Sequence, residues 1–345
     1  MLLSVNSERQ IYDVIVQNGA IRDISRWADL NRKVMIITDD GVPSDYSKQI
    51  ANRCKEYFFY IIKQGESSKN ISNFGKILSE MIRAGFTRTD CLIAVGGGVV
   101  CDLGGFVASC YMRGIDFYSV PTTLLAQIDA SIGGKTAIDF EGIKNAVGSF
   151  YQPKKVIIDP QTLKTLDKRQ LNAGLAEAIK VAATCDAELF ELIENSKDIR
   201  DDLPEIISRS VNIKKSVVES DPKENGLRRV LNFGHTIGHS IESFYKGDYL
   251  HGECVAAGMI PMCSDEVRER LIKVLKKNNL PTYFSGKISQ LMPAILLDKK
   301  RQKGFVTTVF VDEIGTFRFV NMSPKEINQR MEKTYTNQLW ENKRQ

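Results

Sequence analysis

The feature that most constrains the fold of this chain is a change of rhythm at Asp159-Pro160. Before it, short β-rich runs alternate with helical stretches; after it, helical periodicity takes over. Val34–Thr38, Phe58–Lys63, Cys91–Val95, Phe117–Val120 and Val156–Ile158 read as strands, short, apolar and mostly rich in β-branched or aromatic residues. Between the second and third, Ile71, Phe74, Leu78, Met81 and Ile82 recur at helical spacing over 71–84, and Gly85 stands at the expected C-cap. Such alternation predicts an α/β domain over 1–160 with a mostly parallel sheet covered on both faces. Over 161–345 the segments Leu171–Thr184, Asp186–Asn195, Asp202–Glu219, His235–Tyr245 and Cys254–Leu275 read as helices, so a mainly α-helical domain is expected. One late hairpin, over 305–320, turns at Ile314-Gly315.

A chain of 345 residues is long enough for both domains to bury a core, and 43% hydrophobic with 26% charged residues is a globular composition. The net charge of +5 is spread and interleaved with acids, which excludes a nucleic-acid arm and leaves a small anionic substrate as the partner. Seven cysteines, an odd number without a C-x-x-C pair, read as free thiols in a reducing cytoplasm. The start, MLLSVNSERQ, turns polar too early for a secretory signal, and the apolar run Leu92–Val100 is too short to span a bilayer. A soluble, cytoplasmic protein with no membrane partner is therefore expected.

Two glycine-rich segments carry chemistry. AVGGGVVCDLGGF follows a predicted strand and opens a helix, where glycines admit a pyrophosphate and the free N–H groups of a helix start attract its charge. Gly96 and Gly98 fit a dinucleotide fingerprint, but Cys101 stands at its third glycine. A tight turn without a ligand is the plain alternative; the run of three glycines favours a nucleotide. In DASIGGKTAID, Asp129 occupies the first glycine of a P-loop, which disfavours an NTPase. Lys135 after Gly133-Gly134 is then either a phosphate-binding point charge or a solvated loop lysine.

The only three histidines fall within His235–His251. His235 and His239, four apart, share a helix face; a third metal ligand could come from Glu253 or an acid elsewhere, and spacing alone assigns the metal to His235, His239 and His251. Gly234, Gly238 and Gly252 beside them are costly in helices and imply that something approaches closely.

Together GGGVVCDLGGF, YMRG, PTTLLAQIDASIGGKTAID, KNAVGSF, GLAEAIK, GLRRVLNFGHTIGH, LHGECVAAGM and DKK, in this order, resemble the 3-dehydroquinate synthase family through most of the chain. The resemblance implies a Rossmann-like α/β domain followed by a helical domain, with the active site in the cleft between them. It implies metal ligands Glu177, His235 and His251, which moves His239 to the substrate phosphate with Lys135, Asn145 and Lys180. Arg113 is implied to reach the neighbouring subunit's site, hence a homodimer. Lys214, Arg228, Asn232, Lys299 and Lys300 are implied to hold the substrate's carboxylate and hydroxyls, with Glu224 as a partner of these bases and Asp129 near the reacting hydroxyl. For NAD the implied contacts are Gly97, Gly98 and Asp102, then Thr122, Thr123 and Lys144, with Asp39, Glu66 and Lys69 on the adenosine side. Gly41 departs from the family's usual Asn, so an adenosine contact is missing or is replaced by Asp40.

The implied cofactors are NAD and one divalent metal, zinc or cobalt. The implied reaction turns 3-deoxy-D-arabino-heptulosonate 7-phosphate into 3-dehydroquinate by transient oxidation, phosphate elimination, reduction and intramolecular aldol closure, in the shikimate pathway. Alternatives are a related sugar-phosphate cyclase, whose sugar lacks the carboxylate that Lys214, Arg228, Asn232 and the lysine pair suit, and a metal-dependent alcohol or glycerol dehydrogenase. The dehydrogenase would leave Lys135, Asn145, Lys180 and His239 idle. A non-enzymatic NAD-sensing scaffold leaves the histidines without a purpose.

Overall fold

The computed structural model describes residues 1–7, 10–222, 226–301 and 304–342, and within these it leaves out the side chains of 7, 297–301 and 337–342. The chain separates into two compact units, one formed by Met1–Asp167 with Lys214–Pro222, the other by Lys168–Ile213 with Lys223–Gln345. The first break lies at Asp167 rather than 160, because the turn Pro160–Thr165 stays tied to the sheet. Gln127 donates from its side-chain amide to Asp159 O and Thr162 Oγ1, and Asp159 accepts from Gly19 and Ile21 N–H.

The first unit is built on β1 (Leu2–Ser7), β2 (Gln10–Val16), β3 (Lys33–Asp39), α1 (Ser44–Ala51), β4 (Glu56–Ile62), α2 (Ile71–Arg83), β5 (Cys91–Gly96), α3 (Gly98–Cys110), β6 (Asp116–Pro121), β7 (Lys135–Phe140), β8 (Ile143–Phe150) and β9 (Lys155–Ile158). Seven strands form one sheet in the order β1-β2-β9-β6-β5-β3-β4, parallel except for β1–β2. The order reverses between β3 and β5, and the carboxyl ends of strands at such a switch are where α/β sheets bind ligands. Helix α2 shows how the sequence specifies its own bounds. Asn70 caps it by accepting from Asn73 N–H at 2.9 Å, Ile77 and Met81 face the core, and Gly85 ends it at φ +65°. Each buried side chain of that size contributes roughly 1.5–3 kcal/mol.

All five strands expected in this unit form, within two residues at either end. Four further strands escape the sequence reading. β1 and β2 add an antiparallel edge, and β7–β8 form a separate hairpin whose second strand is exposed almost throughout. Strand propensity is largely packing against neighbours, so Gly, Lys, Asn and Asp in these runs read locally as loop.

The second unit contains α4 (Lys168–Cys185), α5 (Ala187–Asn195), α6 (Ile199–Ser220, whose end from Lys214 groups with the first unit), α7 (His235–Tyr245), α8 (His251–Met259), α9 (Asp265–Lys277), α10 (Met292–Arg301), β10 (Val306–Phe310), β11 (Arg318–Met322) and α11 (Pro324–Asn342). β10 and β11 pair antiparallel, with Gly315 at φ +87° in the turn. The single helix expected over 254–275 is instead two. Pro261 lies in a 3-10 turn, Cys263 is extended, and Ser264 caps α9 through Val267 N–H. Apolar spacing runs on across that break and conceals it. Among the described residues no helix is long and apolar enough to cross a membrane, and all seven cysteines are unpaired thiols.

Candidate active site

In the first unit the expected nucleotide contacts gather along the carboxyl edge of the parallel sheet. Asp39 ends β3, Glu66 and Lys69 follow β4, Gly97 and Gly98 join β5 to α3, and Thr122-Thr123 follow β6, with Thr122 N–H bonded to Gly96 O at 2.9 Å. A Cβ on Gly97 would meet Thr123 at 3.2 Å, and one on Gly98 would meet Ala130 at 3.3 Å. The turn is therefore tightly packed, with Gly97 and Gly98 half-buried. Cys101 is buried, and Ser119 Oγ donates to its sulfur at 3.3 Å, so the third fingerprint position is filled by core. The buried Thr38 hydroxyl beside Asp39 has no hydrogen-bond partner, a polar gap that fits a nucleotide at this edge.

Lys69 is the hub of this edge. Its ammonium lies 2.7 Å from Asn145 Oδ1, 2.8 Å from Glu66 Oε1 and 3.2 Å from Asp102 Oδ2. Burial opposes its charge, but Asp102, Glu66 and Asp139 outweigh burial and raise its pKa. Burial in turn pushes the Asp102 carboxyl up to about 6, against the pull of Lys69. Asn145 is held at φ +54° with its N–H bonded to Asp139, so in this structure it faces the Lys69 cluster. Asp39 accepts from Gly41 and Val42 N–H, and burial raises its pKa. Asp40 is engaged by Lys63 and by Gln64 N–H. Lys135 and Lys144 lie exposed on β7 and β8. Asp129 receives the buried Lys214 ammonium on both its carboxylate and its carbonyl oxygen. Arg113 is exposed at φ +68°, beside Met112 at φ +50°.

In the second unit α4, α7 and α8 converge. The three imidazoles pack with centroids 5.2–5.6 Å apart, and one nitrogen from each lies within 4.8 Å of the others. Glu177 on α4 brings Oε1 to 3.7 Å from His235 Nε2 and 3.6 Å from His251 Nε2. Glu177 is 2% exposed, and neither carboxylate oxygen has a hydrogen-bond partner, although Lys180 Nζ pairs with Oε2 at 2.5 Å outside hydrogen-bonding angles. A buried carboxylate whose Oε1 faces two imidazole nitrogens without a hydrogen bond, its Oε2 paired with Lys180, fits a divalent cation. Burial and the charge of Lys180 hold His235 well below the usual imidazole range. Burial also disfavours charge on His251, but the Glu242 hydrogen bond and Glu177 outweigh it and raise its pKa.

Glu253 is no ligand. Arg169 clamps both its oxygens at 2.7 and 2.8 Å, and it accepts from Leu250 N–H at the start of α8. The close approach implied by the glycines proves to be helix backbone: a Cβ on Gly252 would lie 1.9 Å from Ala173 O, and one on Gly238 would lie 3.0 Å from Val255 Cα. Arg228 is buried in the turn Leu227–Asn232, whereas Asn232 and His239 are exposed. Glu224 lies outside the described residues, as do the side chains of Lys299 and Lys300, whose backbone is part of α10. Glu242 was not singled out in sequence. Its position seven residues after His235, on the same helix face, was the available signal.

A switch-point α/β unit with a glycine turn, joined to a helical unit carrying a histidine–carboxylate centre, defines a class of two-unit proteins. Solved structures share this plan. 2-Epi-5-epi-valiolone synthase from Streptomyces hygroscopicus, with NAD+ and Zn2+ bound, superposes with a TM-score of 0.85 at 29% identity over 96% of this chain and 98% of its own. A probable glycerol dehydrogenase from Sinorhizobium meliloti shares the fold at a TM-score of 0.61 and 16% identity, over 92% and 94%. Residues 59–173 match the 3-dehydroquinate synthase N-terminal family and 174–301 the 3-dehydroquinate synthase C-terminal family. The 3-dehydroquinate synthase of Clostridium acetobutylicum is 41% identical over 91% of this chain and 94% of its own, and that of Streptococcus mutans 38% over 96% and 100%. The chain belongs to the 3-dehydroquinate synthase family.

Proposed function

We propose that this protein is a 3-dehydroquinate synthase acting on 3-deoxy-D-arabino-heptulosonate 7-phosphate, with NAD and one divalent metal. The observation that carries the reading is the convergence of Glu177, His235 and His251 in a chain that matches curated 3-dehydroquinate synthases over nearly its whole length. When bound, NAD supplies a hydride acceptor and the divalent ion a charge that acidifies a neighbouring hydroxyl.

The chain's own groups do the rest. Glu177, His235 and His251 would hold the ion. Gly97, Gly98, Thr122, Thr123 and Lys144 would hold the cofactor's phosphates and nicotinamide side, with Asp39, Glu66, Lys69 and Asp102 on its riboses. Lys135, Asn145, Lys180 and His239 are assigned to the substrate's phosphate, where cationic donors make charge-assisted hydrogen bonds and steady the leaving dianion. Lys214, Arg228, Asn232, Lys299 and Lys300, with Glu224 as a partner, are assigned to the carboxylate and hydroxyls. The Lys214 ammonium pins Asp129, which orients that carboxylate as an acceptor for a substrate hydroxyl.

We further propose a cytoplasmic homodimer. Met112, Phe140, Ile143, Val147 and Phe150 are large apolar side chains left exposed around the hairpin of β7 and β8 and the Arg113 turn. Such a patch suits a protein interface, and a second copy would receive Arg113. The two domains proposed are an NAD-binding α/β domain and a metal- and substrate-binding helical one. Substrate choice is tested by assaying phosphate release from the heptulosonate phosphate, sedoheptulose 7-phosphate and glucose 6-phosphate side by side. The reading expects release from the first alone; release from either sugar in its place reassigns the chain to a neighbouring cyclase.

A further inference from the structure

We infer that Glu242 is a positioning residue that fixes the ring and tautomer of His251 for metal binding. His251 Nδ1 lies 2.9 Å from Glu242 Oε2. An ionised carboxylate only accepts hydrogen bonds, so this contact places the ring proton on Nδ1 and leaves the Nε2 lone pair for a cation. That Nε2 is the atom 3.6 Å from Glu177 Oε1. His235 is arranged in parallel fashion, with Nδ1 at 3.1 Å from Phe233 O and Nε2 turned to the same Glu177 oxygen at 3.7 Å.

The two imidazoles are thus anchored by different means. His235 uses a backbone carbonyl two residues before it, which no substitution removes. His251 uses a side chain from another helix, the Glu242 carboxylate of α7. α7 therefore supplies both His235 and the acceptor that orients His251, one helical face serving two ligands of one centre. Glu242 is the more exposed to loss for that reason. The bidentate pair of Arg169 and Glu253 fixes the backbone at the start of α8, but it leaves the His251 ring free to rotate.

The inference rests on the assignment of Glu177, His235 and His251 as ligands, and the test separates the two. Zinc affinity of the full chain is measured by competition with a chromophoric chelator, alongside the visible absorption of the cobalt-loaded protein. Glu242→Ala is expected to weaken zinc binding about 10–100-fold, the usual loss on removing an outer-shell partner of a ligating histidine, and to alter the cobalt bands. Glu242→Gln, which keeps an acceptor oxygen, is expected to recover most of that affinity. A role confined to stability would leave both metal readouts where they are in wild type. Wild-type zinc affinity and cobalt bands in Glu242→Ala, with metal lost in Glu177→Gln, overturn this inference alone; Glu242→Gln binding no better than Glu242→Ala does so too, even if the alanine variant folds poorly. Retention of metal in Glu177→Gln removes the ligand assignment beneath it.

Discussion

Gly252→Ala tests how packing sets the geometry of the centre. The added Cβ would stand 1.9 Å from Ala173 O and 2.6 Å from its carbonyl carbon, whereas Cβ atoms essentially never approach closer than 3.0 Å. The obstacle is backbone of α4, which cannot rotate aside, so α4 and the start of α8 must part by about 1 Å or more. Alanine in place of glycine favours a helix by about 0.8–1.0 kcal/mol, but overpacking a buried contact typically costs ~1–3 kcal/mol, so net destabilisation of up to about 2 kcal/mol is expected. The same displacement acts on His251, next in sequence, and on Glu177, one turn along α4 from Ala173. Ligand distances tolerate only about ±0.2 Å, so zinc affinity is expected to fall by at least about tenfold, more than the stability change alone would suggest. Urea unfolding of the metal-free protein and zinc competition titration read the two effects separately. A variant as stable as wild type, or more so, with unchanged zinc affinity would refute the reasoning.

Three further outcomes follow from the site. Glu177→Gln is expected to leave a folded chain by circular dichroism with metal affinity reduced more than about 100-fold, beyond the loss from an outer-shell change; elemental analysis showing wild-type metal content would remove Glu177 from the ligands. Lys135→Ala is expected to spare NAD binding, measured by fluorescence titration, and to abolish turnover; an unchanged rate at saturating substrate contradicts its assignment to the phosphate. Asp102 titrates near 6 in the folded chain against 3.8 ordinarily, so the folded state holds this proton more tightly. Its contribution is therefore most favourable below about pH 4 and is lost as pH rises through 6, a difference of up to about 3 kcal/mol. Unfolding midpoints between pH 4 and 7 should fall less steeply in Asp102→Asn than in wild type; identical slopes contradict the shifted carboxyl.

Much of this was legible in sequence because its signals are local. The glycine turn after Cys91–Val95, the cap-to-cap helix over 71–84 and the histidines at helical spacing each depend on neighbours within a few residues. What escaped depends on partners far along the chain. β7 and β8 are strands by virtue of each other, with Gly148 pressed against Thr136 O. Glu253, two residues after His251, looked like a donor, but Arg169 claims it from 84 residues away. Spacing alone grouped His239 with His235 and His251, and the three imidazoles do converge; Glu177, 58 residues before His235, has no local pattern linking it to the histidines and came only through the family resemblance. Its contact with the Nε2 atoms is a product of helix packing.

The most direct test of the account is a turnover count. Purified protein is given 3-deoxy-D-arabino-heptulosonate 7-phosphate in excess over NAD, with zinc or cobalt, and phosphate and 3-dehydroquinate are measured together. The account predicts equal amounts of both products, many times the NAD present, no accumulation of NADH, and loss of activity on chelation. Product capped at the amount of NAD, or NADH building up in step with it, would contradict it.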